Sequence, residues 1–203
     1  ALLKIARKRG TIIKEEAEVR SISASREDVR VILSSGDIYT ARYAINASGA
    51  GSRFRLLVPR EEIMTSCMGW YEGIPYTSNR LEMIFDPSLA PHYGWLFPEN
   101  DTRCNVGICL LNRNRKGKSV VDIYNDFLKK HFLPRCKGNT LTPIGTLRVY
   151  PLICSLPSRL HKMEDRCLRI GEAAGLVHPF TGEGVSFALK SADLAAEVLV
   201  KGL

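Results

Sequence analysis

No apolar run in this sequence approaches the roughly 20 residues that a bilayer-spanning helix requires, so no transmembrane helix is expected. The opening stretch, ALLKIARKRG, lacks the long apolar segment and small-residue cleavage site of a secretory signal. None of the six cysteines (Cys67, Cys104, Cys109, Cys136, Cys154 and Cys167) forms a C-x-x-C pair, and the four histidines offer no pair at zinc-finger spacing. A metal site is therefore not expected. Most of the cysteines sit in apolar contexts such as VGICLL and PLICSL, which reads as reduced core thiols in a reducing, cytoplasmic compartment. With 45% hydrophobic and 25% charged residues, disordered and collagen-like chains are also excluded. The 203 residues suffice for one medium domain or two small ones.

Acidic residues are in deficit. Twenty-nine Lys and Arg against 21 Asp and Glu leave a net charge of +8. Such a balance suits nucleic acid, anionic membrane or phosphate-bearing ligands. The charge is mostly dispersed, and nucleic acid is not expected as a partner. One cluster stands out, NRNRKGK, with Arg113, Arg115, Lys116 and Lys118 and no interleaved aromatics. It reads as a solvated loop, with a phosphate or lipid-headgroup patch as the alternative.

Along the chain, residues 2–9 predict the last turns of a helix closed by Gly10. Three strand-like runs follow: TIIKEEAEVRSISAS, DVRVILSS and DIYTARYAINAS, separated by SRED and SSGD turns. Residues 43–47 lose their alternation, which predicts a strand buried on both faces and running into the glycine-rich SGAGS. The middle of the chain offers strands in SCMGWYEGI, RLEMIF, YGWLFP and RCNVGICLL. A helix, VVDIYNDFLKKHF, follows, capped by Ser119 with Asp122 three residues on and stopped by Pro134. Antiparallel strands covered by a helix suggest a substrate-side domain inserted into the first.

The last 36 residues carry the densest signal. A short strand end at residues 168–170 leads into GEAAG, then LVHPFTGEG, then a helix from about Val185 to Val200. Val185, Leu189, Ala192, Ala196 and Leu199 share one side of that helix, predicting that it is half-buried. An acid at a strand tip, Glu172, accepts hydrogen bonds from ribose or ribityl hydroxyls. Ala173, Ala174 and Gly175 leave room for a pyrophosphate or a ring edge. Gly182 and Gly184 free the backbone where the helix begins, so that its amides and dipole face an electron-rich or anionic group. The plainer alternative is a turn at the two glycines and a helix cap at Glu172.

IGEAAGLVHPFTGEGVSFALKSADLAAEVL is similar to the second flavin-binding segment of FAD-dependent oxidoreductases of the glutathione-reductase superfamily. It most resembles the geranylgeranyl reductase family, with its G-D-A-A-G…P-x-T-G-E-G string. YAINASGAGSRFR resembles that superfamily's A-x-G-x-x-S-x-x-R motif through Ala47, Gly49, Ser52 and Arg55, with Arg53 a nearby alternative. YGWLFP, followed by NVGI, resembles the family's Y-x-W-x-F-P substrate motif.

The resemblance implies an α/β fold: a partial, Rossmann-like FAD-binding domain over residues 1–58 and 150–203, with an inserted antiparallel sheet-plus-helix substrate domain over 59–149. It implies FAD held by Ala47, Gly49, Ser52, Arg55, Gly171, Glu172, Ala173, Ala174, Gly175, Pro179, Thr181, Gly182 and Gly184. Tyr93, Trp95 and Phe97 would line an apolar tunnel for a geranylgeranyl or other prenyl-chain lipid. The reaction implied is hydride transfer from reduced flavin to an isolated carbon–carbon double bond, with NADPH or ferredoxin as electron donor and a peripheral membrane contact. The resemblance names no proton donor; His178, beside the flavin loop, is a candidate participant, with a loop-packing role as the alternative. Two departures stand out. Glu172 replaces the family's aspartate, and no G-x-G-x-x-G occurs, so the chain is expected to be the carboxyl-terminal part of such an enzyme, with an exposed apolar sheet face. A flavin-dependent monooxygenase or halogenase is the rival within the superfamily. Against it, GEAAG replaces the hydroxylase-type G-D-A-A-H, and W-x-W-x-I-P is absent. A non-catalytic prenyl-lipid-binding remnant is the rival from another class.

Overall fold

The computed structural model describes residues 2–138, 140–154 and 166–201. Two compact units arise. One comprises Ala1–Ile45 with Lys162–Leu168, the other Asn46–His161 with Arg169–Leu203.

In the first unit, α1 (Leu2–Lys8) ends ahead of Gly10 and is followed by an antiparallel meander of β1 (Val19–Ala24), β2 (Val29–Leu33) and β3 (Ile38–Ala41). The predicted first run is shortened to β1, because Glu16 takes a left-handed φ of 56° within a charged stretch that has no apolar face to bury. The SRED turn is held by the Ser25 hydroxyl, which accepts from the Glu27 and Asp28 amides. The third predicted run breaks in two, β3 and a short β4 (Ala44–Asn46). Here the expectation of a doubly buried strand fails. Ile45 is 45% exposed, and only Asn46 is buried in β4. β4 has a single partner among the described residues, β10 (Cys167–Arg169), through bonds such as Ala44 N–H to Arg166 C=O and Ile170 N–H to Asn46 C=O.

The second unit is built on a five-stranded antiparallel sheet. Its order is β6 (Glu82–Ile84), β7 (Gly94–Pro98), β8 (Arg103–Leu111), β5 (Met64–Glu72) and β9 (Thr142–Leu152). One face is covered by α2 (Val120–His131). The Ser119 hydroxyl accepts from the Asp122 amide, as the sequence predicts, and Val120, Ile123, Tyr124, Phe127 and Leu128 are buried along one stripe. Each such side chain contributes about 1.5–3 kcal/mol on burial. Leu96, Val106, Ile108 and Leu110 meet them from the sheet. Packing is close enough that a methyl group on Gly94 would lie 2.2 Å from Phe127 Cζ. Burial pushes the thiols of Cys67, Cys104 and Cys109 up to about 11, so these cysteines are neutral core groups.

β9 is the strand that sequence reading misses. Pro143, Gly145 and Pro151 punctuate it, yet at a sheet edge proline withholds no bond that a neighbour needs. α3 (Val185–Lys201) forms where predicted but packs on a different stripe. Ala195 is its buried residue, and Ala188 and Ser191 meet the 171–174 turn, whereas Val185, Leu189 and Val198 are more than half exposed. Small residues decide the contact because only they permit close approach. The apolar surface expected on a sheet face is found on α3 and on β9, where Val149 and Tyr150 are exposed.

Asp86 ties the turn before β7 to the end of α2. Its carboxylate accepts from Lys130 Nζ at 2.7 Å and pairs with His131 Nε2 at 2.6 Å. Burial opposes its ionisation, but Lys130, His131 and Ser88 outweigh burial and hold its carboxyl well below the usual range. A depressed carboxylate contributes stability that is complete above its unfolded value, about 3.9, and is lost as pH falls toward the native one. The urea midpoint of the native protein is therefore expected to drop more steeply below about pH 4 than that of Asp86→Asn, and parallel curves would refute this.

Candidate functional site

The strand end of β10 delivers Gly171 into a single 3-10 turn, residues 171–174, closed by Gly175 in the left-handed region. Gly171 itself has φ 55°, and a Cβ there would stand 3.2 Å from the Ala188 methyl, so glycine satisfies both the backbone angle and the seat of α3. Its amide donates to Ser191 Oγ at 2.9 Å. The backbone amides of Ile153 and Ala50 donate to the Glu172 carboxylate, but its Oε1 is buried with no partner among the described residues. Burial pushes Glu172 up, against the pull of those two amides. Nearby Cys154 is pushed up to about 12 by burial, then by Glu172 and Cys109.

The 47–56 loop folds back onto this turn. Asn46 Nδ2 donates to Phe54 C=O at 2.7 Å, Arg169 Nε donates to the same carbonyl at 2.9 Å, and the Leu56 amide donates to Ala173 C=O at 2.7 Å. Ser52 Oγ accepts from the Phe54 amide, and Arg55 Nη1 donates to Leu56 C=O, so both side chains shape the loop. Ala47 is exposed, and open space surrounds the Cα of Gly49. The structure therefore brings Ala47, Gly49, Ser52 and Arg55 to the same unit as Gly171, Glu172, Ala173, Ala174 and Gly175, with Ala50 directly on Glu172.

The 178–184 loop is self-organised. His178 Nδ1 accepts from the amides of Phe180 (3.3 Å) and Thr181 (3.2 Å), which makes Nδ1 a lone-pair acceptor engaged by the backbone. Gly184 is kept small by Val177, whose Cγ2 lies 3.2 Å from where a Cβ would stand, and Gly182 takes φ 69° beside Leu152. The start of α3 already has an internal acceptor. The Ser186 amide donates to Glu183 Oε1 at 2.8 Å, and the Ser186 hydroxyl donates to Oε2 at 2.7 Å. Those bonds, chiefly from the Ser186 amide, hold Glu183 below the ordinary carboxylate range. The helix entrance is capped by the chain's own carboxylate, so its first-turn amides are not all free to face a ligand.

Tyr93, Trp95 and Phe97 form an aromatic row on the sheet. Trp95 and Phe97 alternate onto one face of β7 and stack with centroids 5.8 Å apart; Tyr93 meets Trp95 edge-on at 6.2 Å. The row reaches the 178–184 loop through two hydrogen bonds. Tyr93 hydroxyl donates to Thr181 C=O at 2.5 Å, and His92 Nε2 donates to Pro179 C=O at 3.1 Å. The regions expected to hold cofactor (Pro179, Thr181) and substrate (Tyr93, Trp95) are thus joined.

Three residues of this arrangement escape the sequence reading. His92 is buried, its Nδ1 has no partner among the described residues, and burial pushes its pKa down, so it is a neutral imidazole. Its adjacency to YGWLFP is the only sequence signal. Asn105 accepts from Trp95 Nε1 at 2.7 Å and donates to Gly69 C=O at 3.2 Å. Gly107 lies beneath the indole, and a Cβ there would stand 2.1 Å from Trp95 Cζ2. Both belong to the NVGI string.

Residues 64–147 match the geranylgeranyl reductase catalytic domain. Among curated relatives, the digeranylgeranylglycerophospholipid reductase of Methanospirillum hungatei is 29% identical over 202 residues, covering 93% of this chain and 48% of that protein. The chain thus spans about half the length of the curated relatives it matches. Among solved structures, a geranylgeranyl bacteriochlorophyll reductase-like protein from Thermoplasma acidophilum superposes with a TM-score of 0.74 at 20% identity, over 97% of this chain and 51% of that one. The myxobacterial chondrochloren halogenase gives 0.70 at 20% identity, over 96% and 48%. The fold expected from the resemblance, α/β with an antiparallel sheet-plus-helix portion, is the one observed.

Gly107→Ala is expected to lift Trp95 off the sheet. It should cost about 1–3 kcal/mol in unfolding free energy and shift tryptophan emission in a Trp70→Phe background. Unchanged stability and emission would show that the indole has room.

Proposed function

We propose that this chain forms the substrate-facing and flavin-ring-facing part of an FAD-dependent oxidoreductase that reduces carbon–carbon double bonds of a prenyl-chain lipid. The observation carrying this reading is the pair of hydrogen bonds from His92 and Tyr93 to the carbonyls of Pro179 and Thr181, which link the aromatic row to the loop resembling a flavin segment. The catalytic-domain match over 64–147 supports the reductase in preference to the halogenase, whose likeness is one of fold.

The fit to a flavin rests on Glu172. A buried carboxylate oxygen without a partner is costly to leave so, and a ribityl or ribose hydroxyl is the donor that would satisfy it. In this reading residues 1–58 and 150–203 serve the cofactor and 59–149 the substrate. Gly171, Glu172, Ala173, Ala174 and Gly175 face the ribityl side, with Ala47, Gly49, Ser52 and Arg55 on the adjoining loop. Pro179, Thr181, Gly182 and Gly184 border the ring. Bound reduced flavin supplies the hydride. Tyr93, Trp95 and Phe97 line the path of the prenyl chain and exclude water. Trp95 is held flat by Gly107 and Asn105 and so gives the chain a rigid apolar wall. His178 keeps the loop in shape through its two backbone bonds. A prenyl-lipid substrate suits a peripheral membrane contact, and NADPH or ferredoxin suits the supply of electrons.

The whole protein is expected to be yellow, with flavin absorbance between roughly 350 and 500 nm that bleaches on reduction and returns with a prenyl lipid. Glu172→Ala should lower flavin affinity about tenfold or more, the loss expected when a hydrogen bond to a charged acceptor is removed. A colourless whole protein, or full flavin retention by Glu172→Ala, would overturn the reading.

A further inference from the structure

The basic cluster NRNRKGK is not simply a solvated loop. It forms one wall of a cleft of about 450 Å³ whose other walls come from the 87–90 turn and from α2. Arg113, Arg115, Lys116 and Lys118 line it, against a single carboxylate, Asp126. That carboxylate is already committed, since Lys118 Nζ lies 2.9 Å from Asp126 Oδ2. Arg115 is held by its own loop, donating from Nε to Lys118 C=O at 3.1 Å. Arg113 and Lys116 have no carboxylate partner among the described residues, so the cleft carries uncompensated positive charge. A second cavity of about 260 Å³ shares Arg115 and Lys118 and adds Arg60 together with the carboxylate of Glu61.

The loop is also preorganised. Asn114 Nδ2 donates to Ala90 C=O at 2.8 Å, and Asn112 bonds to both Arg60 C=O (2.9 Å) and the Thr65 hydroxyl (2.7 Å). A loop backbone held in this way presents its cationic side chains with less ordering cost than a free segment would. Guanidinium and ammonium groups side by side are suited to phosphate oxygens. Besides the polar Ser88 and Asn114, the wall includes the apolar Pro87, Ala90 and Ile123, which suits a phosphate carried on a hydrocarbon or glyceryl unit. The cleft volume is in the range of small-ligand pockets, about 300–1,000 Å³.

We propose that this cleft binds the phosphate of a phosphate ester, with Arg113 and Lys116 as its principal contacts. The assignment of that phosphate to the head of the prenyl-lipid substrate rests on the reductase reading; the phosphate site itself does not. Two sources supply the same chemistry, a lipid headgroup and a soluble phosphate ester, and the test separates them. Binding of the full chain is measured by calorimetry with glycerol 1-phosphate and glycerol 3-phosphate, and by flotation with phosphatidylcholine vesicles with or without phosphatidylglycerol. The variant Arg113→Gln/Lys116→Gln is compared with the charge-matched control Arg80→Gln/Lys190→Gln, which lies outside the cleft.

Saturable binding of the soluble esters, weakened about tenfold or more in the cleft variant and unchanged in the control, supports the site and a soluble source. Binding only to phosphatidylglycerol vesicles, with the same variant dependence, supports the site and a lipid source. Absence of binding in both arms, or equal loss in variant and control, overturns it. Flavin content is read separately: a colourless protein that still binds phosphate through Arg113 and Lys116 removes the reductase reading and keeps the site.

Discussion

Two hydrogen bonds to backbone carbonyls, one from the His92 imidazole and one from the Tyr93 hydroxyl, fix the 178–184 loop against the aromatic edge of the sheet. Each joins residues far apart in sequence and replaces a bond that the loop carbonyl would otherwise make with water. Because the two donors are consecutive and the acceptors two residues apart, the loop is held at two points and cannot pivot. The register of β7, in which Gly94 turns toward α2 while Tyr93 and Trp95 occupy the other side, is thereby translated into the course of the loop.

The same strand serves two opposed demands. Toward α2 it must be thin, since Phe127 occupies the space beside Gly94. Toward the aromatic side it must carry bulk, and the bulk must be immobile. Stacking of Trp95 on Phe97 and the bond from the indole to Asn105 achieve this without a covering helix. Asp86, with Lys130 and His131, ties the approach to β7 to the far end of α2. The sheet thus has a packed face that supplies stability and an opposite face that carries the aromatic row.

Much of this was legible in the residues. The Ser119 cap, the stop before Pro134, the strands around GWLFP and CNVGICLL and the start of the last helix all follow from local pattern. What was illegible depended on partners distant in sequence. β9 looks like loop because two prolines and a glycine interrupt it, and only its edge location makes them tolerable. The expectation of a doubly buried strand at residues 43–47 fails because a strand is buried on both faces only where layers cover both, which local pattern does not record. The packed stripe of α3 was misassigned because hydrophobicity favoured Val185 and Leu189, while contact with Gly171 selected Ala188 and Ser191. At the site, glycines and aromatics announced themselves, whereas His92 and Asn105 act through single hydrogen bonds that no spacing encodes. At the helix entrance the glycines are conspicuous in the sequence, whereas the bond from the Ser186 amide to the Glu183 carboxylate is not.

The contact between the Trp95 indole and Gly107 makes side-chain volume at these two positions a shared quantity. A narrower ring at 95 would free space for a methyl at 107, while any growth at 107 would have to be matched by shrinkage at 95. In the reading proposed above, the width of the path offered to a prenyl chain would be set by a pair of sites on neighbouring strands and not by either alone. Under that same reading, laboratory selection for bulkier or slimmer hydrocarbon chains would be expected to change both codons together.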